Sequence, residues 1–232
     1  YIMNIAIVGA TGNVGRKTLE VLEKKGLTLG NLYLVASSKS AGKKIHFQGK
    51  DIVVSELENF DFSKVKIAFF AAGGKISEKF AEKAAKHCLV IDNSSFFRMD
   101  PDVPLIVPQV NSDALNNIKK NIIANPNCST AQLVIALKPL HDLFVIKRIV
   151  VSTYQSVSGA GKASMDELIK QTKLALDGKD IKSENFTKPI AFNAIPHIDV
   201  FSEDGYTKEE LKMRNETKKI LDDKIDLTAT CV

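Results

Sequence analysis

The run Ile5-Ala-Ile-Val8, followed at once by Gly9-Ala-Thr-Gly12-Asn-Val-Gly15, constrains the fold of this chain more than any other feature. A short unbroken apolar run is typical of a buried strand, and residues Val14 to Lys25 place apolar side chains on one helical face. Glycines between a strand and a helix let backbone N–H groups approach a pyrophosphate, whose charge the helix N-terminus favours. The spacing G-x-x-G-x-x-G therefore predicts a dinucleotide-binding loop; a glycine turn without a ligand is the alternative.

The rest of the first half alternates short apolar runs with amphipathic stretches. Strands are predicted at Leu32–Ala36, Val65–Phe70, Leu89–Ile91 and Ile122–Ala124, and a helix at Ser77–His87. Such alternation is typical of a parallel sheet that is covered on both faces. The sequence therefore predicts a Rossmann-like α/β domain over residues 1–126.

The pattern changes after Asn125-Pro-Asn127, and residues 127–232 are predicted to form a second, α+β domain. We expect helices and β-rich stretches at Thr130–Leu143, Ile146–Val157, Ser164–Leu176, Lys208–Leu221 and Leu227–Val232. The polar residues of Asp177–Lys188 predict a surface excursion. Because the sequence ends inside a strand pattern, we expect this domain to be incomplete.

Composition argues against several classes of protein. The net charge is only +5, and lysine pairs such as Lys24-Lys25 have no base-stacking aromatics among them, so nucleic-acid binding is not expected. Polar residues interrupt every apolar run before it reaches membrane-spanning length, so no membrane partner is expected. The three cysteines lie far apart without metal-ligand spacing, which predicts no metal site and a reducing, cytoplasmic location.

The end of the second predicted strand indicates which dinucleotide binds. An NAD-binding domain usually has a carboxylate there to hold the ribose 2′-hydroxyl. This sequence has Ser37-Ser-Lys-Ser40 instead, whose hydroxyls and cation suit a 2′-phosphate. We therefore predict NADP, with an ordinary polar loop as the alternative. Ala71-Ala-Gly-Gly74, after a later strand, either lets the backbone approach the cofactor or turns the chain.

Cys128 lies in the segment Asn125-Pro-Asn-Cys128-Ser-Thr130. Pro126 disfavours helix at Asn125, while apolar periodicity begins at Thr130, so Cys128 is predicted close to a helix N-terminus. The helix dipole there favours thiolate over thiol, and a thiolate adds readily to an aldehyde and leaves from a thioester. A buried structural cysteine is an equally good interpretation of the spacing. Cys88 and Cys231 lie within helix and strand patterns and are interpreted as core residues.

Several segments with characteristic residues occur in order along the chain. They are Gly9-x-x-Gly-x-x-Gly15, Ser94-Ser-x-Phe-Arg98-Met-Asp-Pro-Asp102, Asn125-Pro-Asn-Cys128-Ser-Thr, Tyr154-Gln-Ser-Val-Ser-Gly-Ala-Gly161, Asn193-Ala-Ile-Pro-His-Ile-Asp199, Glu209-Glu-x-Lys212-Met and Glu216-Thr-Lys-Lys-Ile220. Together they resemble the aspartate-semialdehyde dehydrogenase family. The resemblance spans nearly the whole chain. Composition and periodicity indicate only a dinucleotide-binding fold and a candidate thiol, whereas the substrate is implied by the resemblance alone.

The resemblance implies a reversible reaction between aspartate semialdehyde and aspartyl phosphate that uses NADP and inorganic phosphate, on the route to lysine, threonine and methionine. Cys128 matches the family's nucleophile, which passes through a thioester. Gln155 matches the glutamine that orients the substrate; an ordinary strand-end amide is the alternative. The family also implies a homodimer or homotetramer that assembles through the second domain.

Four further residues match positions that bind anions or the substrate. Arg98 matches a phosphate-binding arginine, and Asn127 and Lys212 match other positions of the phosphate site. Glu209 matches the acid that holds the substrate amino group. An exposed ion pair on one helix face is the alternative for Glu209 and Lys212. The predicted cofactor contacts are Gly9, Thr11, Gly12, Asn13, Val14, Gly15, Ser37, Ser38, Lys39, Ser40, Ala72, Gly73, Ser158, Gly159 and Gly161, with a plain turn as the alternative for the last three.

The resemblance also implies a further segment beyond Val232 that carries the acid/base histidine, a substrate-binding arginine and a final helix. The histidines of this chain are interpreted as structural or solvated: His46, His87, His141 and His197. We therefore expect these 232 residues alone to be poorly stable and nearly inactive. Two alternatives remain open, an N-acetyl-glutamyl-phosphate reductase and a non-catalytic dinucleotide-binding relative; Glu209 argues against the first, because only a free amine needs a carboxylate.

Overall fold

The computed structural model describes residues 3–232, which divide into two compact units. The first holds the chain up to Lys138 together with Lys219–Leu221, and the second holds Pro139–Lys218 and Asp222–Val232. The predicted boundary between residues 126 and 127 stays a prediction, because a compact unit and a functional domain need not coincide.

The first unit contains a seven-stranded sheet. Its strands are β1 (Ile5–Val8), β2 (Leu32–Ala36), β3 (Lys44–Phe47), β4 (Lys50–Glu56), β5 (Ile67–Phe70), β6 (Leu89–Asp92) and β7 (Ile122–Ala124). They lie in the order β3-β4-β2-β1-β5-β6-β7, and every pairing is parallel except that of β3 with β4. The helices are α1 (Asn13–Lys24), α2 (Gly74–Ala85), α3 (Pro108–Asn111) and α4 (Cys128–Phe144), of which α4 continues into the second unit.

Both faces of this sheet are buried, as the alternating pattern predicted. Neighbouring residues of β1 belong to different apolar clusters, because successive side chains of a strand point to opposite faces. Ile7 packs in one cluster with Leu19 and Leu22 of α1, and Val8 packs in the other with Phe80 of α2. The predicted α/β class is therefore confirmed.

The strands β3 and β4 form an antiparallel hairpin that contains His46. Gln48 and Gly49 join its strands, with φ of 46° and 78°. Positive φ at both central positions is typical of the tight turns that connect antiparallel strands.

The second unit contains a two-stranded parallel sheet and two helices. Its elements are β8 (Arg148–Thr153), α5 (Lys162–Leu176), α6 (Lys208–Ile220) and β9 (Asp226–Cys231). The strands pair from Arg148↔Asp226 to Thr153↔Cys231. Short 3-10 turns also occur along the chain, at Ser38–Ser40, Phe62–Lys64, Ser112–Asn117 and Val157–Ala160. In residues 3–232, every helix is too short or too polar to cross a membrane.

Candidate active site

The glycine loop lies between β1 and α1, as predicted, and its glycines are required by close packing. Gly9 has φ +86°, and a Cβ added there would lie 2.7 Å from the carbonyl oxygen of Ala71. A Cβ added at Gly15 would lie 2.3 Å from the carbonyl oxygen of Gly9. The backbone of the loop is therefore pressed against the ends of β1 and β5 and against the first turn of α1. A tight glycine loop between a strand and a helix N-terminus is the arrangement by which dinucleotide-binding domains bring backbone amides to a pyrophosphate.

The other predicted cofactor segments of the first unit meet this loop. Thr11 Oγ1 donates to Ser40 Oγ at 3.4 Å, so the glycine loop touches the polar turn that follows β2. Within that turn Lys39 is exposed. Ala72 follows β5, and its Cβ would lie 3.0 Å from a Cβ added at Gly9. These segments follow three adjacent parallel strands, where open α/β sheets bind their ligands.

The remaining predicted cofactor residues lie at the starts of helices. Asn13 and Val14 are exposed in the first turn of α1, and Gly73, with φ +87°, is the N-cap of α2. In the second unit, Ser158 and Gly159 lie in an exposed 3-10 turn, and Gly161, with φ +97°, is the N-cap of α5. Gly161 therefore needs glycine for its backbone conformation, whereas the space around Gly159 would accept a side chain.

Cys128 is the first residue of α4 and is exposed, so the predicted place at a helix N-terminus is confirmed. The helix starts two residues earlier than the apolar periodicity indicated. Asn127 explains the difference, because its Oδ1 accepts from the backbone amides of Ser129 at 2.9 Å and Thr130 at 3.4 Å, as an N-cap does. The Cys128 Sγ lies 4.0 Å from Ser129 Oγ.

The other two cysteines are buried, as predicted. Burial raises the pKa of the Cys88 thiol to about 11. Burial also raises the pKa of Cys231, whose Sγ lies 3.7 Å from Met213 Sδ. Both are therefore held as protonated core thiols, and Cys128 is the cysteine open to a substrate.

Arg98 is buried in the turn after β6, and its guanidinium is fixed on backbone carbonyls. Nε donates to the carbonyl of Asn125 at 2.9 Å, and Nη2 donates to that of Asn93 at 3.2 Å. The side chains of Asn125 and Asn93 also bond to each other. Asn125 lies three residues before Cys128 in the sequence, so the first unit brings Arg98 to the segment that carries the thiol.

Gln155, Glu209 and Lys212 form one network in the second unit. Gln155 Nε2 donates to Glu209 Oε1 at 3.1 Å, and Lys212 Nζ donates to Glu209 Oε2 at 3.2 Å. Only 6% of Glu209 is exposed, so the alternative of an exposed ion pair on the helix face is wrong for this residue. The structure therefore joins a predicted catalytic residue to two predicted binding residues.

Asp199 completes this network and was missed in the sequence, where its segment matched no catalytic position. Its Oδ2 accepts from Lys212 Nζ at 2.8 Å. Burial alone would raise the pKa of Asp199, but hydrogen bonds from Lys212 and the Val200 amide outweigh it and lower the pKa below 3.8. Burial likewise opposes a charge on Lys212, yet the two carboxylates raise its pKa above 10.5. Lys212 is thus a firmly held cation.

Comparison with family models defines the class of protein to which the chain belongs. Residues 4–118 match the family model described as semialdehyde dehydrogenase, NAD binding domain. Residues 137–232 match semialdehyde dehydrogenase, dimerisation domain. The chain is thus an oxidoreductase of the semialdehyde dehydrogenase class, with a first domain of the kind that binds a nicotinamide dinucleotide.

Individual relatives show which family of semialdehyde dehydrogenases the chain belongs to. The aspartate-semialdehyde dehydrogenase of Aquifex aeolicus is 54% identical over 233 residues, which cover 98% of this chain and 68% of the relative. The crystal structure of aspartate semialdehyde dehydrogenase II from Vibrio cholerae superposes with a TM-score of 0.97 at 51% identity, covering 100% of this chain and 70% of that one. This chain belongs to the aspartate-semialdehyde dehydrogenase family, and the two alternatives are not favoured.

Two further structures of relatives were solved with a bound ligand. The Vibrio cholerae enzyme was also solved complexed with ASA, again with a TM-score of 0.97 and 51% identity over 100% of this chain and 70% of that one. An aspartate semialdehyde dehydrogenase from Candida albicans was solved with NADP. It has a TM-score of 0.70 and 27% identity, and covers 100% of this chain and 67% of that one.

Proposed function

We propose that the protein interconverts L-aspartyl 4-phosphate and L-aspartate 4-semialdehyde, with inorganic phosphate and NADP, through a thioester on Cys128. The observation that carries the proposal is an exposed cysteine at the first position of α4, together with a buried arginine that is anchored on the carbonyl of Asn125, three residues before the cysteine. Membership of the family and the relative solved with ASA support the substrate. The reaction would serve the synthesis of lysine, threonine and methionine.

Cys128 would act as nucleophile and leaving group. Its thiolate adds to the aldehyde carbon, and the resulting thiohemiacetal is oxidised to a thioester with loss of a hydride. Inorganic phosphate then attacks the thioester carbonyl, and Cys128 departs as thiolate. The bound dinucleotide supplies the hydride acceptor. In the biosynthetic direction the steps run in reverse, from acyl phosphate to aldehyde.

The binding residues divide by charge. Arg98, whose guanidinium is already held on two carbonyls, would bind a phosphate oxyanion, and Asn127 and Lys212 match further phosphate-binding positions of the family. Glu209, a buried carboxylate, would hold the substrate ammonium, and Gln155, bonded to Glu209, would orient the substrate near the thiol.

NADP is the proposed dinucleotide. The exposed Lys39 and the hydroxyls of Ser37, Ser38 and Ser40 follow β2, where NAD-binding domains place an acid. Gly9 and Gly15 let the loop pack closely against the protein's own backbone between β1 and α1, where a dinucleotide-binding domain holds the pyrophosphate. The relative solved with NADP supports the same choice.

A homodimer or homotetramer is the proposed assembly, formed through the second unit, whose residues match a dimerisation domain. The three free thiols support a reducing, cytoplasmic location.

The test measures phosphate-dependent reduction of NADP by aspartate semialdehyde, with Cys128→Ala as the loss-of-function variant and Cys88→Ala as the matched cysteine control. Intact-mass analysis without phosphate adds a readout that does not need turnover, because the acyl group should remain on Cys128. We expect turnover to need both phosphate and Cys128, and the adduct to be absent from Cys128→Ala only. Turnover that persists in Cys128→Ala, or that ignores phosphate, would rule the mechanism out.

A further inference from the structure

Lys219, near the end of α6, donates to three backbone carbonyls of one turn. Its Nζ lies 2.8 Å from the oxygen of Arg98, 2.7 Å from that of Asp100 and 2.9 Å from that of Val103. An ammonium has three hydrogens, so each carbonyl takes one of them. The turn is thus folded around a single cation, supplied by a residue 121 positions further along the chain than Arg98.

The backbone at Lys219 is anchored by the two residues that follow it. Ile220, the next residue, belongs to the apolar core of the first unit, and Leu221 packs against the same core. Burial lowers the pKa of Lys219, and the charge of Asp100 offsets part of that effect. The Asp100 carboxylate itself bonds to Lys120 Nζ at 2.8 Å. The direct partners of Lys219 in the described contacts are therefore carbonyl dipoles, and the half-buried side chain binds them.

Hydrogen bonds therefore hold both the backbone and the guanidinium of Arg98. Lys219 holds its backbone carbonyl, while the carbonyls of Asn93 and Asn125 hold its guanidinium. The start of the same turn is pinned separately, because Asp92 accepts from the Ser94 amide at 3.0 Å and from the Ser94 hydroxyl at 2.8 Å. Without Lys219, the middle of the turn would lose the only cation described there that joins residues 98, 100 and 103.

We propose that Lys219 is a positioning residue for the phosphate step, which sets the place of the Arg98 guanidinium by gathering the carbonyls of its turn. The inference rests on the proposed role of Arg98 in binding phosphate. A binding group that shifts by about 1 Å can cost a large factor in binding or rate. The effect should therefore appear in the use of phosphate and spare the dinucleotide, which the glycine loop binds.

The test compares Lys219→Met with Lys218→Met in the full-length enzyme. The first removes the donors but keeps an unbranched stem, and the second makes the same charge change at the adjacent residue. We expect Lys219→Met to raise the KM for phosphate roughly tenfold and to leave the KM for NADP within about twofold. Lys218→Met should change neither. An unchanged phosphate KM in a folded Lys219→Met protein would overturn the proposal, as would an equal rise in both KM values.

A double-mutant cycle with Arg98→Ala separates this inference from the proposed function. If Lys219 acts through Arg98, adding Lys219→Met to Arg98→Ala should raise the phosphate KM no further; additive effects would contradict the inference. If Arg98→Ala alone leaves the phosphate KM unchanged, the proposed phosphate site fails instead. If Lys219→Met does not fold, Lys219→Arg replaces it. This variant keeps the charge but presents a planar guanidinium in place of the ammonium, so it should raise the phosphate KM by a smaller factor. The phosphate concentration that protects Cys128 from an alkylating reagent gives the same comparison between variants without turnover.

Discussion

In the glycine loop, contacts with single backbone atoms determine which positions require glycine. At Gly15 the nearest atom to an added Cβ is the Gly9 carbonyl oxygen at 2.3 Å, a distance at which something must move. At Gly12 the same oxygen is 3.4 Å away, which is ordinary contact, and φ is −79°, which any residue adopts. Two glycines of one motif therefore differ in kind, because Gly15 is required by packing and Gly12 is not.

Gly15→Ala should lower the free energy of unfolding by about 1–3 kcal/mol, because overpacking forces the backbone apart. Gly12→Ala, the matched control, should cost less than about 1 kcal/mol, mainly through its place as the N-cap of α1. Urea denaturation of both variants measures the difference. Equal losses would show that the contact at Gly15 relaxes freely.

At the scale of elements, α5 organises the irregular segment that follows it. Glu167 accepts from the backbone amides of Glu184 and Asn185, each at 2.8 Å. One turn further on, Gln171 accepts from the amides of Ile190 at 2.8 Å and Ala191 at 3.2 Å. The predicted excursion is therefore irregular but tied down, since buried side chains of a helix replace the partners that a sheet would give its amides.

Glu167→Ala should remove about 2–3 kcal/mol from the free energy of unfolding, because it leaves backbone amides unpaired beside a residue that is only 4% exposed. Amides at residues 184 and 185 should exchange with deuterium faster. Asp166→Ala is the control, since Asp166 makes an exposed ion pair with Lys162 and should change stability little. Slow exchange at both amides in Glu167→Ala would count against this account.

At the scale of the whole molecule, the second unit leaves large apolar side chains exposed. Val150 of β8 is 69% exposed although Ile149 beside it is 8% exposed. Leu143 and Phe144, at the end of α4, are each 74% exposed. Apolar side chains that form a contiguous exposed patch are typical of a surface that another protein covers, and β8 lies in the part of the chain that matches a dimerisation domain.

Val150→Asp should therefore weaken self-association. Light scattering is expected to give the mass of a dimer or tetramer for the unchanged protein and a smaller mass for the variant. Val53→Asp is the matched control, because Val53 lies in β4 of the first unit and is 53% exposed. A monomer at all concentrations, or equal effects of both substitutions, would rule out assembly through this face.

Local patterns identified most of the sheet but few of the side-chain partners. The bounds of β1, β2 and β7 agree with the sequence prediction, because each is a short apolar run whose residues are mostly buried. The start of α2 was misplaced by three residues, since Gly73 lets the helix begin at once after its positive φ. Asp199 and Lys219 were not singled out, because neither has a local pattern that distinguishes it from a surface residue.

The sequence by itself determined the α/β class, the glycine loop, and the thiol at the start of a helix. Each of these depends on residues that are neighbours in the chain, so periodicity, proline and glycine record them directly. Only the tertiary structure decided that Gln155 meets Glu209, 54 residues away, and that Lys219 gathers the turn of Arg98. Those contacts arise where separate elements pack, and the direction of a side chain there depends on the burial of its neighbours, which no local pattern encodes.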